Sequence, residues 1–143
     1  MPFTITDEPA GASGSRSLIY AAVDELERRY GSAEDAHHLD YDELTPPRGC
    51  FLVARDGGDL AGGVGLRPIG DPLAAVGEVK RLWVRPDLRR HGLARALMDA
   101  VVIRARELGY RRLYLETGPA QPEALALYPR IGWEPVDTFP SGA

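Results

Sequence analysis

The sequence predicts one mixed α/β domain over residues 1–143, a central sheet flanked by helices, and three observations carry that expectation. Two apolar runs, Cys50–Arg55 and Leu60–Arg67, flank Asp56-Gly57-Gly58-Asp59 and form a β-hairpin pattern. Residues 76–117 read strand, helix, strand, a βαβ unit whose crossover should be right-handed. The length, with 44% hydrophobic and 27% charged residues, suits one globular domain with its own core.

In chain order, Phe3–Thr6 is a first short strand. The segment Gly11–Ser15 is a flexible turn offering serine caps to a following helix. From Ser17 onward Leu18, Ala22, Leu26 and Tyr30 recur at helical spacing, and Gly31 supplies the stop. Residues 32–48 are polar and acidic, close on Pro46-Pro47, and read as a loop with a short helix. The hairpin follows, and the glycines of its second strand allow close backbone approach. After a connection over Pro68–Ala75 comes the strand Val76–Val84. Val76, Glu78, Lys80, Leu82 and Val84 share one parity there, and Val79, Arg81 and Trp83 the other. The helix His91–Leu108 carries Leu93, Leu97, Val101, Ala105 and Leu108 on one face and stops at Gly109. A strand over Arg111–Thr117 precedes a short helix over Gln121–Arg130. Pro122 suits the first turn of that helix, whereas Pro129 should loosen it. Trp133–Thr138 is a last short strand.

The single cysteine, Cys50, excludes an internal disulfide and a multi-cysteine metal site, and points to a reducing compartment. The first residues lack a basic region followed by an apolar run, and no apolar run approaches the roughly 18 residues of a membrane span. A cytoplasmic location is the expectation. The net charge of −4 conceals a segregation: residues 1–50 carry four arginines against ten acids, and residues 80–112 carry ten basic residues against three acids. The overall sign argues against nucleic acid as a partner, and the segregation suits a protein that holds an anion at its centre.

The anion site follows from chemistry. A strand runs into the turn Leu88–Gly92 and then a long helix. A helix start exposes unpaired N–H groups and a partial positive charge, so it binds phosphate. Gly92 lacks a Cβ and Ala94 is small, so an anion can approach the backbone of Arg89, Arg90, His91, Gly92, Leu93 and Ala94. Arg89, Arg90 and Arg95 add fixed charge. By contrast, Gly62-Gly63-Val64-Gly65 opens no helix and is not a dinucleotide fingerprint.

The run Arg89-x-x-Gly92-x-Ala94 resembles the (Gln/Arg)-x-x-Gly-x-(Gly/Ala) motif of the GNAT N-acetyltransferase family, placed where that family has it, after a strand ending in x-Val-x-Pro. A second run, Gln121-x-x-Ala124-x-x-x-Tyr128-x-x-x-Gly132-Trp133, is similar to the family's Asn-x-x-Ala-x-x-x-Tyr-x-x-x-Gly-Phe, with Gln for Asn and Trp for Phe. The likeness spans roughly residues 15–138 and looks closest to small bacterial members. It implies a mostly antiparallel sheet with a splayed parallel pair, the strands ending at Val84 and Thr117. The arm of the cosubstrate acetyl-CoA would lie in that splay, against the backbone of Leu82, Trp83 and Val84, with Gln121 and Tyr128 nearby. No metal is implied.

The implied reaction is direct acetyl transfer to a primary amine. It needs an amine deprotonated, an oxyanion stabilised and a thiolate protonated. By resemblance Glu78 is the candidate base, directly or through a water, Tyr128 the candidate acid, and the N–H at the strand bulge, matched to Val84, the oxyanion donor. Glu78 could equally be a structural carboxylate paired with Lys80 or Arg81, and Tyr128 a packing residue beside Leu125. Cys50 has no nearby base and reads as a buried thiol. His37-His38 read as solvated rather than metal-bound, and His91 flanks the phosphate turn. The first helix and the loop after it, with Glu34, Asp35, Asp40, Asp42 and Glu43, would line the acceptor side, and a small-molecule amine is favoured. A non-catalytic acyl-CoA-binding sensor on the same scaffold is the alternative. The family ends with two antiparallel strands where this sequence accommodates one, so an uncovered strand edge and a homodimer are expected. A chain that stays monomeric in light scattering would count against the dimer.

Overall fold

The computed structural model describes residues 3–31, 41–117, 121–136 and 140. Five strands, β1 (Phe3–Asp7), β2 (Cys50–Asp56), β3 (Asp59–Ile69), β4 (Val76–Val84) and β5 (Arg112–Tyr114), form one sheet in the order β1-β2-β3-β4-β5. All neighbours are antiparallel except β4 and β5, which are parallel. The helices are α1 (Ser13–Tyr30), α2 (Leu93–Glu107) and α3 (Pro122–Arg130).

The hairpin closes with Asp56 opposite Asp59 and both intervening glycines at positive φ, 60° and 105°. Two residues at positive φ give a turn whose twist matches that of the strands, and glycine adopts it without steric cost. Strand β2 is buried on both faces, which is why CFLVA reads as one apolar run. Cys50, Leu52 and Ala54 pack with Leu93, Leu97, Met98, Val101 and Ala105 of α2. Phe51 and Val53 pack with Leu18 and Ile19 of α1. The glycines of β3 serve this packing: a Cβ on Gly63 would lie 2.9 Å from the Phe51 ring.

Four elements differ from expectation, each for a local reason. Helix α1 begins at Ser13, so the serines expected as caps lie inside it; Ala12 occupies the cap position and Ser15 is fully buried. Packing against the sheet extends the helix beyond what capping chemistry would choose. Helix α3 runs through Pro129, which stands one residue from its end, so few backbone bonds are lost there. Strand β5 stops at Tyr114, and Leu115–Thr117 leave the ladder. Trp133–Val136 form no strand, and residues 137 and 138, the rest of the expected last strand, lie outside the described residues, as do Glu34, Asp35, Asp40 and His37-His38.

The simple parity of β4 also fails. Register runs from Gly65↔Lys80 to Gly63↔Trp83, so Arg81 and Leu82 together stand opposite Val64. Arg81 has φ 60°, a left-handed conformation rare for a side-chain-bearing residue. This bulge switches the faces: Val79, Leu82 and Val84 all pack on the α2 side, while Trp83 packs on the α1 side. Strand β5, at the end of the sheet, has a ladder neighbour on one side only. No helix among the described residues is long and apolar enough to cross a membrane.

Candidate active site

Strands β4 and β5 pair only at Val76↔Arg112, Gly77↔Leu113 and Glu78↔Tyr114. Beyond Glu78, β4 keeps β3 on one side and loses its strand neighbour on the other. The gap opens into a cavity of about 300 Å³ lined by β4, by Leu115–Thr117, by Ala22, Glu25, Leu26 and Tyr30 of α1, and by Gln121 and Tyr128. The parallel pair therefore splays where the sequence places it. Glu78, Leu82, Trp83, Gln121 and Tyr128 all face one space.

At the far end of β4 the chain turns through Pro86–Leu88 into α2. Gly92 caps that helix with φ 82° and ψ 5°, no side chain caps it, and no acid stands in its first turn. The first helical bond runs from the Ala96 N–H to the Gly92 carbonyl at 3.0 Å, so the N–H groups of Leu93, Ala94 and Arg95 have no acceptor within the helix. A Cβ placed on Gly92 would meet nothing within 4 Å. The turn thus presents backbone donors to open space, which fits a phosphate group. Arg90, His91, Gly92 and Arg95 are exposed there, whereas the Leu93 side chain is core and contributes backbone alone.

Arg89 departs from expectation. Its Nε donates to the Val84 carbonyl at 2.8 Å, and its Nη2 pairs with Glu25 at 2.6 Å. Its charge is thus committed to tying α1 to the end of β4, and the free fixed charge at the turn falls to Arg90 and Arg95. Val84 also differs from its expected role: it pairs regularly with Gly62, its side chain is buried, and the bulge lies at Arg81–Leu82. The backbone that the bulge re-aims belongs to Leu82.

Glu78 is buried, at 2% exposure, and its Oε1 accepts from Arg67 Nε at 2.6 Å. Lys80 Nζ stands 3.9 Å from the same oxygen. Arg67 also pairs with Glu43 at 2.8 Å. The main partner of Glu78 is therefore Arg67 rather than Lys80 or Arg81, while Oε2 takes part in none of these contacts. Arg67 was missed from sequence, yet Arg67↔Glu78 is a cross-strand pair in the β3–β4 register, and that register was the available signal. Glu43, expected on the acceptor side, serves as a strut.

Tyr128 lies beside Trp133 with ring centroids 6.3 Å apart, and Gly132 at φ 97° turns the chain to place Trp133 there. Burial pushes the Tyr128 hydroxyl up to about 12, so it stays protonated at neutral pH. Among the described residues that hydroxyl makes no hydrogen bond. Cys50 is fully buried, and burial pushes its thiol up to about 12, which removes it as a nucleophile.

A clasp spans the cavity mouth. Arg29 of α1 holds Glu123 of α3 through two bonds, 2.9 and 3.3 Å, and Glu25 at 3.5 Å. The Gln121 side chain accepts from Tyr30 at 3.4 Å rather than capping its own helix. The Arg29 guanidinium holds Glu123 at about 2, below the ordinary carboxylate value of 4.5. A carboxyl with a depressed folded-state pKa stabilises the fold above the unfolded value and loses that contribution as pH falls. The clasp should therefore be intact above pH 4.5 and open as pH falls toward about 2. Hydrogen exchange of α3 amides across that range checks it, with Glu123→Gln removing the dependence.

An uncapped helix start beside a splayed β4–β5 cavity matches the arrangement that the sequence resemblance implied, and the relatives show an N-acetyltransferase. Residues 18–133 match the Acetyltransferase (GNAT) family. The chain is 30% identical over 134 residues to the N-acetyltransferase YjgM of Escherichia coli K12, covering 94% of this chain and 80% of that protein. It is 36% identical over 136 residues to an IAA acetyltransferase of Azospirillum brasilense, covering 93% and 86%. A crystal structure assigned as an acyl-CoA N-acyltransferase from Klebsiella pneumoniae superposes with TM-score 0.80 at 29% identity, over 97% of this chain and 88% of that one. The chain belongs to the GNAT acetyltransferase family.

Proposed function

We propose that the protein transfers acetyl from acetyl-CoA to the primary amine of a small molecule. The single observation that carries this is the splay: β4 and β5 part at Glu78, and the gap brings a carboxylate, a bulged backbone and a tyrosine hydroxyl into one cavity. The α2 start holds the donor's phosphates on backbone N–H groups, with Arg90 and Arg95 adding charge. Bound acetyl-CoA supplies an activated acyl group with a thiolate leaving group. Leu82, at the bulge, directs its N–H to the carbonyl oxygen where negative charge develops. Glu78 Oε2 accepts the amine proton through a water, because Oε1 is taken by Arg67. Tyr128 donates its proton to the departing sulfur. The relative named for IAA supports a small-molecule acceptor, and the limited cavity volume agrees with it.

Calorimetry with acetyl-CoA, followed by thiol release with a panel of primary amines, tests the proposal. Saturable binding and amine-dependent thiol release are expected. Binding without release for any amine would favour an acyl-CoA sensor, and no binding by a folded protein would sink the donor site.

A further inference from the structure

The cavity between β4 and β5 carries, beside its carboxylates, two cationic residues that transfer to a plain amine does not need. Lys80 and Arg81 both line it. The Lys80 side chain is 22% exposed, and the oxygen nearest its ammonium, Glu78 Oε1 at 3.9 Å, is already held at 2.6 Å by Arg67. Burial, joined by the nearby Arg81 and Arg67, lowers the Lys80 pKa against the pull of Glu78 and Glu116. Glu25, another acid of the cavity, is taken by Arg89 and Arg29.

A second donor stands on the same face. The Trp83 Nε1–H is buried and has no hydrogen-bond partner among the described residues, although buried donors almost always have one. In a regular strand residues 80 and 83 would point to opposite sides. The bulge at Arg81–Leu82 reverses that, placing Lys80 and Trp83 together on the α1 side of β4. An ammonium on a lining residue, with a buried N–H donor of a second lining residue on the same side of β4, offers the fittings of a carboxylate site.

We propose that the acceptor is an amino-carboxylate, whose carboxylate is received by Lys80 and the Trp83 N–H while its amine is presented to Glu78. This rests on the acetyl-transfer function proposed above.

The test compares phenylalanine, phenylalaninamide and phenethylamine, then other amino acids with their carboxamides, as acceptors for the full chain with saturating acetyl-CoA. A charge-assisted bond to the carboxylate should give the acid a kcat/KM roughly tenfold to a hundredfold above its carboxamide. Lys80→Met should collapse that ratio toward one by raising KM for the acid, and Lys80→Arg should restore it. Trp83→Phe, which keeps an aromatic ring and removes the donor, should reduce the ratio independently of any folding defect in the Lys80 variants. Carboxamides acetylated as well as acids by the wild type, or a ratio unmoved by both Lys80→Met and Trp83→Phe, would overturn the inference and leave acetyl transfer standing. Wild-type protein that acetylates no amine would remove both.

Discussion

Tyr128→Phe should lower kcat by roughly a hundredfold to ten-thousandfold, the range of a positioned general acid, while leaving acetyl-CoA affinity and the melting temperature near wild type. The substitution removes one oxygen that makes no hydrogen bond among the described residues, so little stability is at stake. The ring stays against Trp133 and the cavity keeps its shape. Only proton donation is lost. The departing thiolate must then take its proton from water. Calorimetry, a thermal melt and steady-state thiol release separate the three quantities. A kcat unchanged in Tyr128→Phe would make the residue a packing element of α3. Uniform loss of binding and stability would say the same.

Gly92→Glu should abolish measurable acetyl-CoA binding in a protein that still folds. The space over Gly92 is open, and a Cβ there meets no described protein atom within 4 Å. Its left-handed φ of 82° is unfavourable for a side-chain-bearing residue, at about 1–2 kcal/mol. That is tolerable for a domain of ordinary stability. The ligand meets a carboxylate where its phosphates approach the helix start, and like charges in contact cost several kcal/mol, roughly a hundredfold or more in affinity. Gly92→Ala shares the backbone strain without the charge and should bind within about tenfold of wild type. If the alanine variant fails as completely as the glutamate, strain at the turn explains the loss and the phosphate position is wrong.

Much of this was written into local pattern. The hairpin followed from Asp-Gly-Gly-Asp between two apolar runs, α2 from the spacing of Leu93, Leu97, Val101 and Ala105, and the helix start from Gly92. Each depends on contacts within a few residues, where propensity and periodicity act directly. The cavity members Gln121 and Tyr128 were legible because a spaced motif placed them, and Glu78 and Trp83 through the resemblance of the strand that precedes the first motif.

What failed was decided at longer range. Whether Arg89 faces a phosphate or a partner depends on Glu25, 64 residues away in sequence and brought near by α1. The charge partner of Glu78 comes from the register of β3 against β4, which the local spacing around Lys80 and Arg81 cannot reveal. The bulge at Arg81 is a property of two paired strands, and it moves Trp83 to the face of Lys80 and the irregular backbone from Val84 to Leu82. The sequence by itself determined most of the elements and, through its two motifs, the family. The tertiary structure decided which charges are spent on holding the fold and which remain to meet a substrate, because an ion pair between distant segments exists only once packing has brought them within a few ångströms of each other.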